Sequence, residues 1–400
     1  MDRRSFLLRG AAFGCSAAAS PLLTPVAFAS APWDNRLIVI ILRGAMDGLD
    51  TVRPLGDGDW AGLRPNLAAA AEPDLTGFFG LHPALAPLLP LWDKGEVGFA
   101  HAVSTPYRDK RSHFDGQDIL EAGVASLDGG LRDGWLNRLM QTVPGITAET
   151  AYALGREQLL ILTGDAPVSA WSPEARLRLS AQTRRLIDLV QHDDPLFRAA
   201  STEAIAIVDA IADSDAADAT AATMANDPMM AAIPQGGEHV KLAAFAAARL
   251  RGDTRIASFS IGGWDTHQNQ ANGLARSLTA LSDTILTLKS GLGPVWRKTG
   301  VICMTEFGRT ARENGTKGTD HGTGGALIYA GGAVRGGQVI ADWPGLAEAD
   351  LYAGRDLLPT RDVRAHAGWM MRGLFGIERG LIEGAVFPGL DLGADPGIIL

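Results

Sequence analysis

The sequence predicts an α/β protein built on a mostly parallel sheet sandwiched between helices, and three observations predict it. Arg36-Leu37-Ile38-Val39-Ile40-Ile41-Leu42 is a nearly unbroken β-branched run, the pattern of a central strand covered on both faces. Short apolar runs alternate with polar loops and amphipathic helices, the order of strand–crossover–strand units. Several of those runs end in Asp, His or Arg, and open α/β sheets gather ligands at the carboxyl ends of their strands.

Length and composition fit that class. Four hundred residues with a hydrophobic fraction of 46% suffice for one large core. The formal net charge of −9 argues against nucleic acid as a partner. Cys303 is the only cysteine outside the first 29 residues, so no internal disulfide is expected there, and its place in an apolar run marks it as core.

The first 29 residues stand apart. Asp2-Arg3-Arg4-Ser5-Phe6-Leu7-Leu8 has the paired arginines of a twin-arginine signal, and Ala27-Phe28-Ala29 offers a cleavage site before Ser30. The expectation is a signal peptide over 1–29, export by the twin-arginine machinery, a periplasmic or secreted location, and one domain over 30–400. No later stretch approaches ~20 uninterrupted apolar residues, so no membrane span is expected after processing.

Taken in order, the strand at 36–42 ends in Arg43-Gly44-Ala45-Met46-Asp47-Gly48-Leu49-Asp50. Asp47 therefore lies where a functional carboxylate belongs, with Asp50 and Thr51 behind it. Residues 53–80, rich in Pro, Gly and Asp, read as a surface excursion. Leu81-His82-Pro83 opens a helix over 84–93, with His82 near its N-cap. Residues 96–103 read as a second strand. The polar stretch Arg108 to Asp118 leads into a helix, with Ser112 beside Arg111 and His113. That placement suits an activated hydroxyl and equally a plain N-cap.

Residues 158–163 read as a short strand. A helical, Ala/Asp-rich excursion is expected over about 173–235, and His192 and His239 are expected on solvated faces. A helix over 241–250 precedes a strand over 255–261, which ends in Gly263-Trp264-Asp265-Thr266-His267. An amphipathic helix over 274–292 follows. The strand at 301–304 opens into Thr305-Glu306-Phe307-Gly308-Arg309-Thr310, and Asp320-His321 sits between Gly318-Thr319 and Gly322-Thr323-Gly324-Gly325. A strand over 326–331 and a helix over 361–375 carrying His366 complete the chain.

Adjacent Asp and His cannot share a face of a regular strand, but a glycine-rich loop can turn both toward one ion. Asp47, Asp265 with His267, and Asp320 with His321 together offer enough oxygen and nitrogen for one or two divalent metals. In a two-metal site one ion activates the nucleophile and the other neutralises the leaving oxygens. Arg309 or Arg111 is placed to clamp a tetrahedral anion, and Glu306 to orient a ligand histidine. An organic redox cofactor is disfavoured, since no G-x-G-x-x-G follows the first strand.

These motifs in this order, with the twin-arginine leader and Arg111-Ser112-His113-Phe114-Asp115, resemble the DUF1501 family over nearly all of the chain beyond the leader. The resemblance implies membership of the alkaline phosphatase and sulfatase superfamily, and hence an alkaline phosphatase-like fold with metals at the strand ends. It implies Asp47 as the first-strand ligand, Asp320 and His321 on the same ion, Asp265 and His267 on the other, and His366 as the last histidine. The spacing of Asp265 and His267, with only Thr266 between, departs from the superfamily pattern, and Ser112 lacks the sulfatase nucleophile context. The implied function is an exported hydrolase of phosphate or sulfate esters, small or polysaccharide, using one or two ions among Zn, Mn, Mg and Ca. The alternative is a non-catalytic envelope or polysaccharide-associated binding protein.

Overall fold

The computed structural model describes residues 33–68, 73–108, 110–130, 133–155, 159–171 and 237–400. The leader, His192 and the Ala/Asp-rich stretch lie outside the described residues.

Strand β1 (Arg36–Leu42) is buried along its whole length. It pairs in parallel with β7 (Ile256–Ile261) and with β8 (Thr299–Met304). Outside β7 lie β5 (Ala151–Leu154) and β6 (Ser169–Trp171), also parallel. Outside β8 lies β9 (Gly325–Ala330), antiparallel both to β8 and to β4 (Val97–Ser104). Short strands β10 (Val339–Ile340) and β11 (Arg361–Asp362) pair in parallel with β4. Among the described residues the sheet thus has nine strands, ordered β10-β4-β9-β8-β1-β7-β5-β6 with β11 also on β4, and β9 alone runs against the rest; β2 (Val52–Arg53) and β3 (Gly80–Leu81) form a separate antiparallel pair.

The alternation of side chains along β1 explains the two-sided cover. Leu37, Val39 and Ile41 face a core with helices α2 (Trp135–Gln141) and α5 (Val363–Phe375). Ile38, Ile40 and Leu42 face another with α3 (Glu238–Leu250) and α4 (Gln270–Leu292). Leu274, Leu278, Leu281, Ile285 and Leu288 form the buried stripe of α4, each contributing roughly 1.5–3 kcal/mol on leaving water. Cys303 is buried in β8, and burial pushes its thiol pKa far up, so it is an inert core residue. No described helix is long and apolar enough to cross a membrane.

Three local expectations are corrected. The apolar run near 160 is a 3-10 turn, Leu160–Leu162, and the strand lies earlier at Ala151–Leu154. The Ile161 amide finds its acceptor in the Glu121 carboxylate at 3.1 Å, not in a neighbouring strand; a short apolar run does not by itself tell the two apart. The helix after His82 is 3-10 over Pro83–Leu88 and α only over Leu89–Trp92, because Pro87 and Pro90 remove backbone donors. The stretch 53–80 is not merely surface: Trp60, Leu63, Arg64 and Leu67 are buried.

Two of the buried histidines, His101 and His366, should make the fold acid-sensitive. At the β4 bulge, the His101 Nε2–H donates to the Val52 carbonyl at 2.9 Å while Nδ1 accepts from the Ala102 amide at 2.8 Å. Burial pushes its pKa down to about 4. His366 in α5 is also buried and pushed down to about 3 by burial. Among the described residues neither of its ring nitrogens makes a hydrogen bond of normal geometry, although the nearby Asp362 backbone favours its charged form. Both rings fold neutral, so their contribution is full above the ordinary value near 6.5 and is lost as pH falls below it, on the order of 3 kcal/mol for His101. Thermal melts should show the midpoint falling from pH 6.5 to 4. His366→Leu, which removes two unpartnered nitrogens at similar volume, should flatten that fall without lowering stability at pH 7; an unchanged pH profile would contradict this reading.

Candidate metal centre

The carboxyl ends of β1, β7 and β8 are stitched together by Arg309. Its guanidinium is fully buried and donates to the carbonyls of Ala45, Gly44, Trp264 and Thr319 at 2.7–3.1 Å, and to Asp265 Oδ1 at 2.5 Å. With its donors committed to the protein, Arg309 is a hub for three loops and not the anion clamp expected of it. Gly44 permits this closeness: at φ 120, a Cβ there would stand 2.6 Å from the Asp265 amide.

The two motif loops after β8 zip together as a short antiparallel ladder. Gly308 N donates to Thr323 O at 2.9 Å, Gly322 N to Gly308 O at 2.8 Å and Thr310 N to Asp320 O at 2.9 Å, and Arg309 bridges His321. A Cβ on Gly308 would lie 1.8 Å from the Gly324 carbonyl, so only glycine lets the chains approach. The ladder also separates Asp320 from His321, because neighbouring side chains leave extended backbone on opposite sides.

Three imidazoles and one carboxylate converge beside this ladder. His113, the first residue of helix α1 (His113–Ala122), has Nδ1 2.8 Å from Glu306 Oε1 and Nε2 3.4 Å from Asp265 Oδ2. His321 has Nδ1 2.8 Å from the Arg111 carbonyl and Nε2 3.3 Å from Asp265 Oδ1. His267 has Nδ1 3.2 Å from Asp320 Oδ1 and Nε2 3.0 Å from Asp265 Oδ1. In all three rings Nδ1 has a fixed acceptor, so a proton held on Nδ1 leaves the Nε2 lone pair aimed inward. Histidines that hold metals are oriented in this way.

These residues fit a metal ion on three counts. The Nε2 atoms of His267 and His321 stand 2.9 Å apart, which with both lone pairs inward calls for a cation or an extra proton. Among the described residues, the buried Nε2 of His113 has no hydrogen-bond partner, and it faces an Asp265 carboxylate oxygen. One ligand atom each from His113, Asp265 and His321 lies within 4.8 Å of the others. The side chains of Asp265 and His267 are 45% and 43% exposed, so the cluster opens to solvent on that side.

The electrostatics agree with this arrangement. The Glu306 hydrogen bond raises the His113 pKa against burial, and burial lowers that of His321. Burial opposes the Glu306 carboxylate, but hydrogen bonds from His113, Thr305 and Gln117 hold it ionised. Burial likewise opposes Asp265, and the Arg309 hydrogen bond and charge outweigh it. The exposed Asp320 is held low chiefly by Asn314.

The other expected site residues lie elsewhere or do other work. Asp47 is fully buried; its Oδ2 accepts from Arg64 Nη1 and Gln270 Nε2, both at 2.7 Å, and from Thr319 Oγ1 at 3.3 Å, while Oδ1 caps the turn Gly48–Thr51. Arg64 already neutralises it. Asp50, expected behind it, is paired with Arg53 at 2.7 Å. Among the described residues, Asp320 meets the cluster through His267 Nδ1 alone. His366 is enclosed in α5, and none of its nitrogens contacts the cluster. Ser112 caps α1, accepting from the Asp115 amide at 3.4 Å, and its own amide donates to the Tyr107 hydroxyl at 2.8 Å. Sequence reading placed His113 among catalytic groups and missed Arg64, Gln270, Arg355 and Asp356. Their partners are far away along the chain, and no local pattern marks them.

Fold and site together define an α/β protein with a histidine-rich, carboxylate-assisted centre at the carboxyl edge of its sheet. A profile of the DUF1501 family, described as a protein of unknown function, matches residues 107–372, and the chain belongs to that family. No curated protein matches it in sequence. Among solved structures, a 2-O GAG sulfatase is similar at 9% identity and a TM-score of 0.34, over 76% of this chain and 65% of the sulfatase chain.

Proposed function

We propose that this protein is an exported, metal-dependent hydrolase of phosphate or sulfate esters, acting on a small-molecule or polysaccharide ester. The observation that carries the reading is the convergence of His113, His267 and His321 Nε2 on Asp265 in a solvent-open site. Export rests on the sequence alone, through the twin-arginine leader, and a periplasmic or secreted location follows from it. The donor set favours zinc or manganese over magnesium and calcium, which prefer all-oxygen sites. It supports one ion, since Arg64 already answers the charge of Asp47.

A divalent ion held by these residues would supply Lewis acidity and a more acidic water. The chain's own contributions are distinct. Glu306 and the Arg111 carbonyl fix the tautomers of His113 and His321, Asp320 does the same for His267, and Arg309 keeps Asp265 ionised and in place. A second reading, a non-catalytic binding protein on the same fold, is favoured by Ser112, whose hydroxyl is engaged in capping a helix.

The two separate on turnover. Aryl phosphate and aryl sulfate esters incubated with the zinc- or manganese-loaded chain should be hydrolysed, with the rate falling at least a hundredfold in His321→Ala. A chain that holds its metal yet turns over neither ester would leave the binding reading ahead.

A further inference from the structure

The loop after Leu351 carries a feature that the metal centre does not use. Asp356 is fully buried and pinned by its own backbone, which exchanges hydrogen bonds with Tyr352 at 2.8 and 3.1 Å and bridges Thr310. Its Oδ1 accepts from Arg355 Nη1 at 2.9 Å; its Oδ2 accepts from Thr323 Oγ1 at 2.9 Å and from Arg111 Nη2 at 3.3 Å. One buried carboxylate therefore holds two guanidinium groups side by side, leaving a net positive charge there in a chain whose formal charge is −9.

Those guanidiniums retain donating capacity. The Arg111 and Arg355 side chains are 33% and 37% exposed. Among the described residues, the buried Arg111 Nε has no partner, and of the five donors on a guanidinium only Nη2 is bonded to Asp356. Both residues adjoin the centre through His321: its Nδ1–H donates to the Arg111 carbonyl at 2.8 Å, and Arg355 Nη1 donates to its carbonyl at 2.9 Å. Arg111 also sits at φ 52, a left-handed conformation costing roughly 1–2 kcal/mol for a residue with a side chain. Strain of this kind concentrates at functional sites.

We propose that Arg111 and Arg355, fixed on Asp356, form an oxyanion-binding subsite on the His321 side of the centre. Paired, pre-positioned guanidinium groups match the oxygens of a phosphate, sulfate or carboxylate. The subsite deepens the hydrolase reading by naming the group of the substrate that is held: a charged oxyanion beside the reacting ester or part of it. Asp265 and Asp320 are negative, so anion affinity should rise when a divalent ion occupies the centre.

The test is calorimetric titration of inorganic phosphate and of sulfate into the full chain, with saturating zinc and after chelation. Wild type should bind one anion per chain. Arg111→Gln, which leaves the carbonyl holding His321 in place, should weaken binding at least tenfold with metal content unchanged, and Arg355→Gln should do the same. No anion binding in the wild type, or wild-type affinity in both variants, overturns the subsite. Metal content measured on the same samples separates the two claims. A metal-free chain whose phosphate binding depends on Arg111 keeps the subsite and loses the hydrolase reading; a metal-bound chain indifferent to both arginines does the reverse.

Discussion

Asp47→Ala should cost the fold about 3–5 kcal/mol and leave the metal content of the folded protein unchanged. The carboxylate and its partner Arg64 are both fully buried, so removing one strands the other as an uncompensated charge. Gln270 and Thr319 lose an acceptor at the same time. Urea unfolding gives the first quantity and elemental analysis the second. Had Asp47 been a ligand, the pattern would invert, with metal lost and stability little changed. The pH dependence has a definite sign. Burial opposes the Asp47 charge, but the Arg64 guanidinium wins and lowers its pKa. This stabilisation is therefore present above the ordinary carboxylate value and is lost as pH falls through the depressed one.

Glu306→Gln should lower metal affinity about 10–100-fold although it removes no ligand. The amide keeps an oxygen for the Gly44 amide and for His113 Nδ1, but the charge that orients and strengthens the imidazole is gone. His113→Ala, which removes a ligand, should cost more. Competition between metal and Zn-responsive dye, followed against pH, checks both. In the wild type the raised pKa of His113 means that protons displace metal as pH falls through that raised value. Glu306→Gln should move this loss to lower pH, because the Glu306 hydrogen bond is the largest cause raising it. Equal affinities in wild type and Glu306→Gln would remove Glu306 from the centre.

The sheet was legible because β1, β7, β8 and β9 are apolar runs long enough to read, each ending in glycine or a polar cluster. Asp265, His267 and His321 were legible for the same reason, since strand ends collect at one edge. The assignment within the Asp320-His321 pair was not. It depends on the ladder with Gly308 and Arg309, which turns His321 inward and leaves Asp320 to hold His267 from outside. Arg64 could not be read from a Pro- and Gly-rich stretch, because what buries it is Asp47 and the carbonyls of Thr310 and Ala311, far off in the chain. Pairings of that kind are fixed by the folded sheet and leave no periodicity in the sequence. His366 showed the opposite failure: the resemblance implied a ligand at a position that the helix pattern of α5 encloses.

Metal content of the full chain, purified folded and dialysed against metal-free buffer, decides whether this histidine cluster holds an ion when measured beside His113→Ala/His321→Ala. One zinc or manganese ion per wild-type chain and none in the double variant, with matching far-UV circular dichroism, is the expected result. A wild-type chain that is folded, metal-free and refuses both ions, or a double variant that keeps as much metal, would contradict it.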